Sequence, residues 1–360
     1  MDSSTVSLGE LGWTRERQEQ LEALGDPALV AARVAAEHRG AYALLGAEAS
    51  TARLAGRFRC QEEDEDWPAV GDWVAVEPAG ALGVIRHVLP RATVLARRRP
   101  GLLQAQVVAV NVDVVFVVTS PGADLSPRRI ERYLAAVRAG GARPVVVLNK
   151  ADLAVDPSEA ERAIAGVGGA VPCLTTSAAT GQGLERLQAE IPGGATVALV
   201  GSSGVGKSSL LNRLLGDQRQ ATRTVRLADD KGRHTTTRRE LLALPGLAWA
   251  IDTPGMREFG LWEAGEGIDE TFQEIAALAE GCRFRDCRHR GEPGCAVAGA
   301  LAEGAISGQR LDSFEKLRRE EAFLERQRDP RTQDRTKRRW KAIHKGMRAR
   351  RKVDPKLREE

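Results

Sequence analysis

The chain has 360 residues, 42% hydrophobic and 28% charged, enough for two or three domains and at least one sizeable core. No run of about 20 apolar residues is present, and MDSSTVSLGELGW lacks the basic start and apolar stretch of a secretory signal, so a helical membrane protein is excluded and a cytoplasmic one expected. The net charge of +4 is unevenly spread, because residues 331–360 hold 13 Lys/Arg against 4 Asp/Glu and the remainder is mildly acidic.

Residues 1–36 read as a polar, helical N-terminal extension with ERQEQLEAL as its periodic piece. Over 37–100 the pattern changes to short strand-like runs: AYALLGA, TARLAGRFRC, DWVAVEP, ALGVIRHVL and TVLARRR. Five short strands suit an OB-fold barrel, a scaffold for RNA or single strands; an SH3-like or purely structural β module is the alternative.

Over 101–265 the signal alternates between apolar strands (VDVVFVVTS, RPVVVLNK, AVPCLTTSA, ATVALVG) and amphipathic helices (RRIERYLAAVRAG, SEAERAIAGV, GLERLQAEI). Such buried runs imply a parallel sheet covered on both faces. A helix at KSSLLNRLLG and two strands, RRELLAL and LAWAID, follow. Helices interrupted by a cysteine cluster occupy 266–328, and a basic tail fills 329–360. A basic tail on an acidic body suggests a polyanion partner, and Trp340 among its cations leans towards RNA; a frayed, solvated terminus is the alternative.

Chemistry concentrates in three motifs. Gly201-Ser202-Ser203-Gly204-Val205-Gly206-Lys207-Ser208 fits the phosphate-binding loop and stands between a strand and a helix, continuing into Ser209. Its glycines turn N–H groups toward phosphates, Lys207 reaches the β/γ oxygens, and Ser208 ligates Mg²⁺. Asp252, ending a strand and opening Asp-Thr-Pro-Gly255, holds Mg²⁺ through water, while the Gly255 N–H meets the γ-phosphate. Asn149-Lys150-Ala151-Asp152 reads guanine: the Asp152 carboxylate accepts from N1–H and the exocyclic amine, a donor pair adenine lacks. Lys150 lies along base and ribose, and the Ser177-Ala178 backbone meets O6. The nucleotide is therefore GTP.

The order is unusual: the guanine motif precedes the phosphate loop, so the domain reads as circularly permuted. Gly232-Arg233-His234-Thr235-Thr236-Thr237 lies between phosphate loop and metal motif. A threonine there meets Mg²⁺ and the γ-phosphate; three adjacent ones leave the choice open, with Thr236 favoured. Met256 stands where a Ras-like enzyme places the water-orienting glutamine, so His234 becomes the candidate for that role, a surface histidine being the alternative.

Cys282, Cys287, His289 and Cys295 supply three thiolates and an imidazole within 14 residues, a closed set for one structural Zn²⁺. Arg283, Arg285, Arg288 and Arg290 interleave with them and suit phosphate contacts. Cys60 and Cys173 read as ordinary buried thiols.

Together, VGDWVAV, LNKADL, GSSGVGKSSLLN, GRHTTTRREL, DTPGMREFGLW and CRFRDCRHRGEPGCAV resemble the ribosome small-subunit-dependent GTPase A (RsgA) family over about residues 40–325. The resemblance implies a multidomain α/β chain with an all-β N-terminal part: an OB barrel, a circularly permuted P-loop GTPase domain and a helical zinc-binding domain. It further implies GTP hydrolysis stimulated by the small ribosomal subunit, a role late in that subunit's maturation, and His234 as the catalytic histidine beside Lys207. The expected partners are that subunit and its rRNA, with no membrane and a monomeric chain. Two other readings remain: a GTP-binding RNA-binding protein with little hydrolysis, and a permuted GTPase acting on the large subunit.

Overall fold

The computed structural model describes residues 6–38, 40–56, 58, 67–80, 82–98, 105–154, 156–167, 171–216, 239–246, 248–252, 262 and 264–328. Cys60, His234, Thr236, Gly255, Met256 and the basic tail, on which expectations were placed, lie outside these residues.

Helix α1 (Arg15–Glu22) forms where ERQEQLEAL places it, with the Thr14 hydroxyl accepting from the Arg17 N–H at its start. Ahead of it, residues 6–14 pack against the core. Leu11 is fully buried, Trp13 meets Trp73 edge-on with centroids 4.8 Å apart, and the Trp249 indole donates to the Glu10 carbonyl at 2.8 Å.

Five strands close a barrel: β1 (Val30–His38), β2 (Ala41–Leu45), β3 (Thr51–Leu54), β4 (Trp73–Glu77) and β5 (Leu82–Val88). They run in the order β1-β2-β3-β5-β4, and β4 returns to β1 over Val30–Arg33. The expected count of five holds with a different membership. β1 begins at Val30, ahead of the expected boundary at 37, because its alanine-rich stretch reads as helical by propensity while pairing on both sides makes it a strand. TVLARRR is not a barrel strand. With the barrel already closed it has no edge to join, and β6 (Val94–Arg98) pairs with β7 (Ala105–Val110) as a separate ribbon.

The apolar runs beyond Asn111 become β8 (Val114–Thr119), β9 (Arg143–Leu148), β10 (Cys173–Thr175), β11 (Thr196–Val200), β12 (Glu240–Leu244) and β13 (Ala248–Asp252). Their order is β10-β9-β8-β11-β13-β12, parallel except for β12, which pairs Glu240 with Ala36 of β1 and so joins sheet to barrel. Side chains alternate between two cores, as a doubly covered sheet requires. Val115, Val117, Val146 and Ile251 face helix α2 (Pro127–Ala139) and α3 (Pro157–Ala165). Val114, Phe116, Val145 and Ala250 face α4 (Leu184–Ala189) and α5 (Lys207–Leu215). Among the described residues β10 is the sheet's edge, with no further strand beside it, and Cys173 at its first position is exposed rather than buried as expected.

Four further helices follow: α6 (Gly265–Thr271), α7 (Gln273–Glu280), α8 (Ala296–Ala302) and α9 (Gly308–Arg328). They share the α2-side core through Ile268, Phe272, Phe314 and Leu317. α6 crosses α2 at backbone contact, since a Cβ on Gly267 would stand 2.1 Å from the Ala135 carbonyl oxygen. Among the described residues no helix is long and apolar enough to cross a membrane.

Candidate nucleotide site and cysteine cluster

The carboxyl ends of the parallel strands β9, β10, β11 and β13 share one edge of the sheet, where open α/β sheets bind ligands. The guanine and phosphate motifs are therefore brought together despite their reversed chain order.

The phosphate loop connects β11 to α5. Gly201, Gly204 and Gly206 take φ of 144°, 88° and 95°, the left-handed region that glycine enters without strain. Two of them are also held by close approach. A Cβ on Gly201 would stand 2.2 Å from the Val118 carbonyl oxygen, and one on Gly206 would stand 2.3 Å from Asn149 Nδ2. Ser203, Gly204, Ser208 and Ser209 are exposed at the loop mouth, whereas Val205 is buried beneath it. Lys207 Nζ donates to the carbonyls of Gly201 (2.7 Å) and Ser202 (2.6 Å), which fixes the ammonium over the loop.

Asn149, only 1% exposed, is the joint of the site. Its Nδ2 donates to the Val205 carbonyl at 2.9 Å, and its Oδ1 accepts from the Ala178 N–H (3.1 Å) and the Thr176 hydroxyl (3.3 Å). Both ends of the amide are thereby committed to protein. Lys150 adopts φ 62°, laying its Cε 3.8 Å from where a Gly206 Cβ would be. Exposed Asp152 accepts from the Ser177 hydroxyl, which holds the carboxylate in place. The amide of Ser177 donates to the Gln182 carbonyl, so the Ser177-Ala178 backbone is engaged within the protein.

Two arginines not singled out from sequence complete the frame. Arg213 of α5 donates to the carbonyls of Ala178 and Ala179, both at 2.7 Å. Arg129 of α2 donates to the Ser202 hydroxyl at 2.5 Å. Neither belongs to a motif; each is recognisable only once α2 and α5 are placed on the sheet.

Asp252 ends β13 directly across the ladder from Glu240. Burial, and then the like charge of Glu240, push its carboxyl above the usual 3.8. A divalent cation at this position reverses that balance, since it stabilises the carboxylate.

The cysteine cluster sits between α7 and α8. Ligand atoms of Cys282, Cys287, His289 and Cys295 lie within 4.8 Å of one another. Cys282 and Cys295 Sγ are 3.9 Å apart, and His289 Nδ1 stands 3.6 Å and 3.5 Å from them. Tetrahedral zinc with ordinary bond lengths needs about 3.8 Å between sulfurs and about 3.5 Å from sulfur to nitrogen, so the donor set fits. Desolvation raises the Cys282 thiol, but the N–H groups of Val297 and Ala296 at the start of α8, together with hydrogen bonds to Cys295 and Cys287, outweigh it and hold the thiol below its ordinary value. Glu292 accepts from the Arg288 and Arg290 amides and closes the loop around His289, which itself adopts φ 58°.

A family model described as RsgA GTPase matches residues 88–262. The small ribosomal subunit biogenesis GTPase RsgA of Opitutus terrae is 48% identical over 363 residues, covering 97% of this chain and 99% of that one. The crystal structure of YjeQ from Thermotoga maritima superposes with a TM-score of 0.62 at 29% identity, covering 80% of this chain and 97% of that one. YloQ, described as a circularly permuted GTPase, shares the fold with a TM-score of 0.58 at 22% identity over 81% of this chain and 94% of that one. With identity at this level along nearly its whole length, the chain belongs to the RsgA GTPase family.

Proposed function

We propose that the chain is a GTP hydrolase acting in biogenesis of the small ribosomal subunit, the role named for its Opitutus terrae relative. The observation that carries this reading is the Asn149 joint, through which guanine-reading and phosphate-holding loops form one site in a permuted order. Asp152, held by Ser177, reads the guanine donor pair, Lys150 lies along base and ribose, and Ser177-Ala178 wall the O6 edge. The N–H groups of Gly201–Ser208 cradle the phosphates, with Ser209 behind them and Lys207 offsetting the β/γ charge.

Ser208, Asp252 and Thr236 are the ligands for Mg²⁺, which neutralises charge on the β and γ oxygens when bound. Gly255 supplies an N–H to the γ-phosphate. His234 orients the water that attacks the γ-phosphorus. The bond to the β–γ bridging oxygen breaks, and GDP and phosphate leave without a covalent intermediate. Because Met256 carries no group that orients water, turnover by the free protein is slow, and contact with the small subunit supplies the missing order.

Cys282, Cys287, His289 and Cys295 hold one structural Zn²⁺, supported by the fit of their spacing. The protein works as a monomer in the cytoplasm, bound to the small subunit and its rRNA. The test is steady-state GTP hydrolysis with and without purified small subunits, with large subunits and ATP as controls. Stimulation by small subunits alone supports the reading; equal stimulation by large subunits, or none, overturns it.

A further inference from the structure

Helix α2 carries a charge pattern that its own folding does not explain. Arg128, Arg129 and Arg132 occupy its first two turns; the first turn holds no acidic residue to complement the positive end of the helix dipole, and Glu131 in the second is already paired with Arg310 at 2.8 Å. Cations at a helix N-terminus oppose that dipole. The Ser126 side chain makes no capping bond to relieve it.

These arginines line a cavity of about 210 Å³ between α2 and α9, completed by Ser313, Lys316 and Leu317. The cations are incompletely neutralised. Glu320 takes up Arg132 through two 2.6 Å bonds, but Arg128 reaches Asp312 only at 3.7 Å and Arg129 reaches Asp124 only at 3.9 Å. Lys316 is exposed and pairs with no carboxylate among the described residues. Ser313, 3% exposed, adds a hydroxyl beside the cations.

We propose that this cavity is a binding site for one phosphodiester of RNA, and that Arg129 is shared between it and the phosphate loop. The inference rests on the ribosomal reading above for the identity of the polyanion. The cavity is smaller than the roughly 300 Å³ at which pockets begin to enclose a whole small molecule, yet it accommodates one phosphate of a polymer running past its mouth. Guanidinium forks match phosphate oxygens bidentately, and an anion here offsets the unfavourable charge at the start of α2.

Arg129 already donates to the Ser202 hydroxyl of the phosphate loop at 2.5 Å. A guanidinium has five N–H donors, so one edge stays on Ser202 while another meets the phosphodiester. RNA occupancy and nucleotide state then share a residue, and each changes the affinity for the other by the same factor.

The experiment compares wild type with the double variant Arg128→Gln, Lys316→Gln, neither residue being part of the nucleotide site. Binding to purified small ribosomal subunits is measured across a salt series, together with GDP affinity, basal hydrolysis and melting temperature. The double variant is expected to bind subunits roughly tenfold more weakly, with a salt slope shallower by about one to two. Its GDP affinity, basal hydrolysis and melting temperature stay at wild-type values. The charge-keeping pair Arg128→Lys, Lys316→Arg restores subunit binding. Arg129→Gln abolishes the difference in subunit affinity between the GDP form and the form bound to a non-hydrolysable GTP analogue.

Wild-type affinity and slope in the double variant, beside normal subunit binding by wild type, overturn the cavity assignment and leave the ribosomal reading standing. No subunit binding by wild type overturns both. If millimolar inorganic phosphate raises the melting temperature of wild type but not of the double variant, while subunit binding is equal, the ligand is a free anion and the RNA assignment fails.

Discussion

Asn149 Nδ2 donates to the Val205 carbonyl across 2.9 Å, tying the loop of the Asn149–Asp152 motif to the Gly201–Ser208 loop. The two residues are 56 apart in the chain and lie in the loops after β9 and β11, strands separated in the sheet by β8. Since Oδ1 of the same side chain accepts from Ala178, one buried amide sets the distance between three loops.

Asn149→Ala therefore acts on the frame of the site, since both ends of this amide are bonded to protein. It leaves the Val205 carbonyl and the Ala178 N–H unpaired below the surface, at about 1–3 kcal/mol each. At about 1.4 kcal/mol per tenfold, GDP affinity should fall by at least about tenfold. Fluorescent-GDP titration measures this, and an unchanged dissociation constant would mean that the three loops hold their spacing without Asn149.

The motifs were legible because their chemistry dictates residue type: only glycine suits Gly206, whose missing Cβ leaves room for Asn149. The partners of Asn149 were not legible, because they depend on which loops converge. β1 was hidden for another reason. Local propensity in VAARVAAEH points to helix, and only pairing with β2 and β4 makes it a strand. The exposure of Cys173 was likewise invisible, since strand order and not local pattern puts β10 at the edge. Arg33, in the same β1 stretch, is 2% exposed although charged, and nothing in the local pattern marks it as buried.

Arg33 gives the second prediction. It donates to the Leu11 carbonyl (2.7 Å) and the Thr196 hydroxyl (2.6 Å), and its guanidinium lies 5.2 Å from the Trp73 ring centre. N-terminal segment, barrel and the start of β11 thus meet at one side chain. Burial, reinforced by the like charge of Arg17, lowers its pKa to about 9. Replacing it by methionine leaves several buried acceptors without a donor, a loss of about 3 kcal/mol. At about 2–4 °C per kcal/mol for a chain this large, the melting temperature should drop by about 6–12 °C. Arg33→Lys, lacking the planar fork, should rescue little. A calorimetric scan of Arg33→Met within 2 °C of wild type, against the ~6 °C minimum, would rule the joint out.

The cysteine cluster predicts coupled loss of metal and stability. Cys295 Sγ belongs to the proposed zinc set and also accepts from the Ala298 N–H at 3.3 Å, so it caps α8 as well. Cys295→Ser should bring zinc content, measured by atomic emission, from about one equivalent to near zero. Chelation of the wild-type protein should lower its melting temperature to that of the variant. If Cys295→Ser retains full zinc, Cys282, Cys287 and His289 suffice and the four-ligand assignment fails.

The last prediction concerns pH at Asp252, the proposed magnesium ligand. Asp252 binds a cation only as the carboxylate, and burial together with Glu240 across the β12–β13 ladder raises its pKa above the usual 3.8. A raised pKa in an acid means that the proton competes for the site at higher pH than it would at an exposed aspartate. Magnesium-dependent nucleotide affinity is accordingly complete above the raised pKa. It is lost as pH falls through that value, before ordinary carboxylates titrate. Glu240→Gln removes the like charge facing Asp252 and should move the midpoint of this loss to lower pH, while leaving affinity at neutral pH within about twofold. GDP titrations at fixed magnesium over a pH series provide the measurement. An unmoved or alkaline-shifted midpoint in Glu240→Gln would show that the ladder neighbour does not set the charge state of Asp252.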